Sequence, residues 1–249
     1  MFLKDFFNSI KAYADAFALA NQLQLWKYCL VPIIIGFITG TLIIVAAWFW
    51  AEPLGDQINR LWTFDFGKEV VESISFFLGI IFILLFGMIA YKHIVMAFSA
   101  PFMTPLSEKI ETHFTGKQFK TESPAKFLAS LVRGIRINVR NLLMEVSITL
   151  LLFICSIIPV INIFTSVLLL YVQCYFTGFG NMDYTLERYL NYADTKKFVR
   201  QHHGLAVGNG FVFHLFLMIP LVGMVLALPL STIAATKVTV SKLNAAPQL

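Results

Sequence analysis

Residues 146–182 read VSITLLLFICSIIPVINIFTSVLLLYVQCYFTGFGNM, 37 residues without a charge, with Ile158-Pro159-Val160-Ile161-Asn162 near the middle. One bilayer crossing takes roughly 20 residues, and two with a turn take about 44. The run is too long for one crossing and short for two. The simplest physical reading is a helical hairpin whose tip lies in or near the membrane. Residues 204–236 repeat the arrangement, 33 uncharged residues interrupted at Ile219-Pro220-Leu221-Val222-Gly223. Two further uncharged runs, 24 residues over 28–51 and 19 over 73–91, each approach the length of one crossing. Helix-compatible residues continue past the second to Ala100. A helix over 73–100 would be about 42 Å long, so its last turns should leave the hydrocarbon.

These runs predict an all-α integral membrane protein folded as a single membrane domain over 1–249. Two long transmembrane helices occupy 28–51 and 73–100. Cytoplasmic helices and a loop occupy 101–141, and two Pro-centred, partly inserted helical hairpins occupy 146–182 and 204–236. Residues 1–27 lack the apolar core and cleavage site of a secretory signal, and Asp5 and Asp15 interrupt them. Phe6, Ile10, Tyr13, Phe17 and Ala20 recur at helical spacing there, which predicts an N-terminal interfacial helix.

Apolar residues make up 58% of the chain and charged ones 13%, about half the charged fraction of soluble domains. The net charge of +5 does not point to nucleic acid, because the basic residues sort by membrane side. Only Arg60 and Lys68 fall in the 52–72 connection. The other seventeen of the nineteen share one side if both hairpins return to the side they left. By the positive-inside rule that side is cytoplasmic, with both termini inside.

Pro101-Phe102-Met103-Thr104-Pro105 predicts the stop of one helix and the start of another, with Thr104 as N-cap and Pro105 in the first helical position. Arg133, Arg136 and Arg140 share a helical face just before the third run. They suit either contact with anionic lipid headgroups or an electropositive vestibule. Asn162, Thr165 and Ser166 either line a water-filled path at the first hairpin tip or satisfy backbone groups freed by Pro159. His214 is a candidate gate, or a histidine donating to a backbone carbonyl. Gly36 and Gly40 have the spacing of close helix packing.

Cys29, Cys155 and Cys174 lie inside apolar runs without paired spacing, so neither a metal site nor a disulfide is expected. The apolar runs hold almost no ionisable group beyond His214, with Glu145 at their edge, which gives little sign of a proton relay. With no glycine-rich phosphate loop, paired carboxylates or nucleophile triad, neither catalysis nor a cofactor is expected.

Three blocks resemble the CysZ-type sulfate permease family, which shares its domain with the etoposide-induced endoplasmic-reticulum membrane proteins. They are Ser99-Ala100-Pro101-Phe102-Met103-Thr104-Pro105-Leu106-Ser107-Glu108-Lys109-Ile110-Glu111, the tip from Phe153 to Asn162, and Leu215 to Gly223 continuing through Leu228-Pro229 to Thr236. The resemblance implies two long transmembrane helices with two partly inserted hairpins, sulfate passage into the cytoplasm, and homo-oligomers. It places the protein in the bacterial inner membrane as a multi-pass chain. It implies an anion site near the loop after the second long helix, here Thr104, Leu106, Ser107 and Glu108, helped by basic residues before the first, here Lys27. The sequence departs from the family pattern at three positions: Trp26 replaces the second basic residue, Thr104 a glycine, and Pro105 a residue with a backbone N–H donor.

Two functions follow as expectations. One is a permease or channel-like transporter for a small oxyanion, with sulfate leading and the lipid bilayer and the anion as partners. The alternative is a non-transporting membrane scaffold or lipid-organising protein of the same family.

Overall fold

The computed structural model describes residues 2–63, 66–119, 123–156, 158–219 and 222–245, and every extended element among them is helical. The tip residues Ile157, Pro220 and Leu221 lie outside the described residues, as does Asp65 in the 52–72 connection. The helices are α1 (Phe2–Gln22), a 3-10 turn (Leu25–Cys29), α2 (Leu30–Leu61), α3 (Lys68–Thr115), α4 (Pro124–Cys155), α5 (Pro159–Leu186), α6 (Tyr192–Gln201), α7 (His203–Leu217) and α8 (Val222–Ala245). Among the described residues, four helical stretches are long and apolar enough to cross a membrane: Leu25–Leu61, Lys68–Thr115, Pro124–Cys155 and Ile161–Leu186.

The helices outrun the uncharged stretches that mark them. α2 runs ten residues beyond Ala51, through Pro53, and α3 is one helix of 48 residues that passes through both Pro101 and Pro105. The expected stop and restart at 101–105 is therefore absent, and Thr104 is an interior helical residue rather than an N-cap. An interior proline costs a helix about 3 kcal/mol. Here Met103, Leu106 and Ile110 are completely buried on the same helix, and packing outweighs that cost. In the turn before Pro101, the Tyr184 hydroxyl donates to the Met96 carbonyl at 2.7 Å.

The chain divides into two compact units. The smaller, residues 36–92, pairs the parts of α2 and α3 within it. A Cβ on Gly79 would lie 2.2 Å from the Ala51 carbonyl oxygen, and one on Gly55 2.7 Å from that of Ser75. The helices touch backbone to backbone at these two glycines. Gly40, expected to mark such a contact, has only the Tyr91 ring near it, at 3.9 Å.

The larger unit, residues 1–35 and 93–249, is a bundle in which α7 packs on α5, α1 and α8. α7 uses glycines on two faces: a Cβ on Gly210 would fall 1.9 Å from the Cys174 carbonyl oxygen of α5, and one on Gly208 2.5 Å from that of Phe6 in α1. Asn209 between them is fully buried. Its side chain donates to Ser231 O and accepts from Asn181, while its carbonyl accepts from the Tyr13 hydroxyl. One asparagine thus ties α1, α5, α7 and α8 together.

α1 buries Asp5, Ser9, Ala12, Tyr13, Ala16, Leu19 and Ala20. This face is rotated from the apolar stripe read from the sequence, and Phe17 of that stripe is exposed. The small residues decide the outcome, because Ser9, Ala12 and Ala16 allow closer contact with α7 and α8 than phenylalanines would.

Candidate functional site

The second half of α3 brings Thr104, Ser107, Glu108 and Glu111 along the ends of α4, α5 and α8. Ser107 Oγ, Thr185 Oγ1 and Thr236 Oγ1 form a triangle with sides of 2.9, 3.0 and 3.0 Å, and all three residues are buried. Arg188 Nη2 donates to Ser107 Oγ at 2.8 Å and to Glu111 Oε2 at 2.7 Å. The Tyr189 hydroxyl takes the other Glu111 oxygen. The guanidinium reaches one of the three hydroxyls, and with Thr236 donating to Thr232 O at 2.8 Å the triangle is a buried polar network whose hydroxyls bond within it. Glu111 neutralises the guanidinium in this arrangement.

Thr104 donates to Glu187 Oε1, and Ser130 donates to the same oxygen at 3.1 Å. Burial pushes the Glu187 carboxyl up to about 6; the Thr104 hydroxyl opposes it, the neighbouring Asp183 adds to it, and Ser130 and Arg133 oppose it less. Glu108 pairs with Lys126 at 2.7 Å, and Leu106 is completely buried. Because α3 is unbroken here, no free helix N–H groups face an anion, and donors in this region come from side chains.

Lys27 lies in the 3-10 turn that follows α1, where Gln24 adopts a left-handed conformation at φ 50°. Its Nζ is 5.5 Å from the centroid of the Tyr28 ring, and Lys109 Nζ of α3 is 5.4 Å from the same centroid. Both lysines are exposed, and among the described residues neither has a carboxylate partner. The fold thus sets a second cation near Lys27 although Trp26 holds the position next to it. Trp26 Nε1 instead donates to Asn21 at 2.8 Å and fixes the turn. Lys109 was not marked by the sequence, since it is 82 positions away from Lys27 and only the return of α3 brings it there.

Arg133 is not a free vestibule or headgroup residue. Its Nε and Nη2 both donate to Asp183, the latter at 2.7 Å, while Nη1 donates to Leu190 O and Nη2 to Thr195 Oγ1. It locks α4 to α5 and α6. Arg136 lies 4.2 Å from the Tyr192 ring centroid, and Arg140 5.2 Å from that of Phe179. Thr165 and Ser166 both donate to Asn162 O within the first turns of α5. His214 Nδ1 is 2.7 Å from Gly210 O, one turn back in α7.

His93 and Glu145, both buried, pair at 2.9 Å, a contact that no spacing along the chain indicates. Nor does spacing indicate Arg188, Asp183 or Glu187, whose partners are 50 to 83 positions distant, and Glu111 stands in the block that resembles the family without its partner being legible there. Among the described residues no cluster of three or more His, Cys, Asp or Glu is arranged to hold a metal ion.

Four spanning-length apolar helices with buried ion pairs and polar networks between them define an all-helical membrane protein. Its sequence matches the model of the family described as sulfate transporter CysZ/etoposide-induced protein 2.4 over residues 12–227. The chain belongs to that family. It is 31% identical over 140 residues to a sulfate transporter CysZ of Pseudomonas fluorescens, covering 55% of this chain and 56% of that one. It is 27% identical over 161 residues to a sulfate transporter CysZ of Pseudomonas aeruginosa, covering 64% and 65%. The chain therefore spans less than two thirds of the length of either relative.

Proposed function

We propose that this protein is a permease or channel-like transporter of the bacterial inner membrane that admits a small oxyanion, sulfate first, to the cytoplasm. Family membership and the names of its relatives favour sulfate. The observation that carries the reading is the pair Lys27 and Lys109 on the Tyr28 ring, two cations with no carboxylate partner among the described residues of the large unit. Such a pair attracts a divalent oxyanion.

The chain has both termini in the cytoplasm, where its basic residues concentrate. α7 has 15 residues and is too short to cross alone, so the second hairpin is only partly inserted. Backbone groups at its tip must then be enclosed by protein or water. A second copy of the chain would complete that enclosure, which is why a homo-oligomer belongs to the proposal.

The test is uptake of radiolabelled sulfate by proteoliposomes of the purified protein, with protein-free liposomes as the blank. Saturable uptake that falls about tenfold in the Lys27→Ala, Lys109→Ala double variant supports the reading. Absence of uptake by folded protein in these vesicles would transfer the assignment to a non-transporting membrane scaffold.

A further inference from the structure

A cleft of about 270 Å³ opens between α1 and the last turns of α8, lined by Asn8, Lys11 and Asp15 on one side and Lys237, Ser241 and Lys242 on the other. Lys237 pairs with Asp15, and Lys242 with the buried Asp5 at 2.8 Å. Two of the three ammonium groups are thereby fixed in place by carboxylates. Lys11 has no carboxylate partner among the described residues and supplies the surplus charge. Ser241 and Asn8 add neutral donors beside it. Fixed cations, one unneutralised cation and neutral donors around a small cleft make a site for a phosphate group.

The outer face of α1 indicates where that phosphate comes from. Beside the lysine edge runs an apolar edge on which Leu3, Phe7 and Phe17 are 66%, 54% and 40% exposed. Phe7 precedes Lys11 by four residues, so the two are neighbours on the helix surface. An exposed apolar stripe next to lysines is the signature of a helix lying in the headgroup layer. A lipid whose phosphate occupies the cleft would lay its acyl chains along Phe7 and Leu3.

We propose that the α1–α8 cleft binds the phosphate of an anionic membrane lipid, with Lys11 as the residue that selects for negative charge. The site does not depend on the transport reading, since it shares no residue with Lys27, Lys109 or the hydroxyl triangle. A bound lipid would clasp the first and last helices of the chain from outside.

The experiment is native mass spectrometry of the full-length protein in neutral detergent, with phosphatidylglycerol or phosphatidylcholine added at equal concentration. Wild type should retain phosphatidylglycerol preferentially, and Lys11→Glu should lower that retention about fivefold or more, given the strength of one lysine at an anionic surface. Lys197→Glu, at an exposed lysine of α6, should leave it unchanged. Lys11 is exposed, so its variant keeps the fold, which circular dichroism verifies. Equal retention of the two lipids would overturn the proposal, as would an equal loss in Lys197→Glu. Displacement of the lipid by inorganic phosphate would make this a site for soluble phosphate and overturn the lipid assignment.

Discussion

His93 Nε2 stands 2.9 Å from Glu145 Oε2, and the His93 Nδ1 is 3.4 Å from Asn138 Oδ1, with all three side chains buried. The contact joins α3 to α4 across 52 positions of sequence. A buried charged or hydrogen-bonded pair adds little over an apolar replacement of both members, but loss of one strands the other.

Glu145→Leu should therefore destabilise the protein by about 3 kcal/mol, and His93→Leu in the same background should return part of that loss. Thermal unfolding of the two variants in detergent checks it. Equal stability of wild type and Glu145→Leu would show that the pair is not a structural contact.

Arg133 reaches Asp183 with two nitrogens and Leu190 and Thr195 with the rest of its guanidinium. Lysine presents a point charge and cannot span these acceptors. Arg133→Lys should lower stability by about 2 kcal/mol, whereas Arg136→Lys, at an exposed position, should change it little. A residue that met only lipid headgroups would tolerate lysine, so an unaltered melting temperature in Arg133→Lys would restore the headgroup role.

Glu187 titrates near 6 in the fold against an ordinary 4.5, so folding favours its protonated form. Below pH 4.5 it is protonated in folded and unfolded chains alike; through the window from 4.5 to 6 the unfolded chain releases its proton first. The stabilising contribution is thus present at low pH and lost as pH rises through about 6. Denaturation midpoints of wild type minus those of Glu187→Gln should fall across this window, and a flat difference would refute the shift.

At Gly79 and Gly210 an added methyl meets a carbonyl oxygen at 2.2 and 1.9 Å, whereas at Gly40 the nearest atom is 3.9 Å away. Gly79→Ala and Gly210→Ala should each cost about 1–3 kcal/mol or more through overpacking, while Gly40→Ala should be neutral or mildly stabilising. Yield of monodisperse protein by size-exclusion chromatography ranks the three. A harmless Gly210→Ala would mean that α5 and α7 do not pack backbone to backbone.

Residue chemistry alone was enough to determine the all-helical class, the apolar stretches and the Pro-marked interruption at residues 158–159. Each rests on local properties: the length of an uncharged run, the missing N–H of proline, the aversion of charge to hydrocarbon. Even so, local rules misread Pro101 and Pro105, because burial of Met103, Leu106 and Ile110 carries the helix past two residues that would break it in isolation. On α1, hydrophobicity marks Phe6, Ile10, Tyr13, Phe17 and Ala20, and packing buries Tyr13 and Ala20 of that stripe together with Ser9, Ala12 and Ala16. The polar contacts were legible only in three dimensions. Lys109 beside Tyr28, Arg188 on Glu111, and His93 on Glu145 each join residues 52 to 81 positions apart in sequence. Spacing along a chain encodes which face of its own helix a side chain occupies, while its partner on another helix is set by how the helices pack.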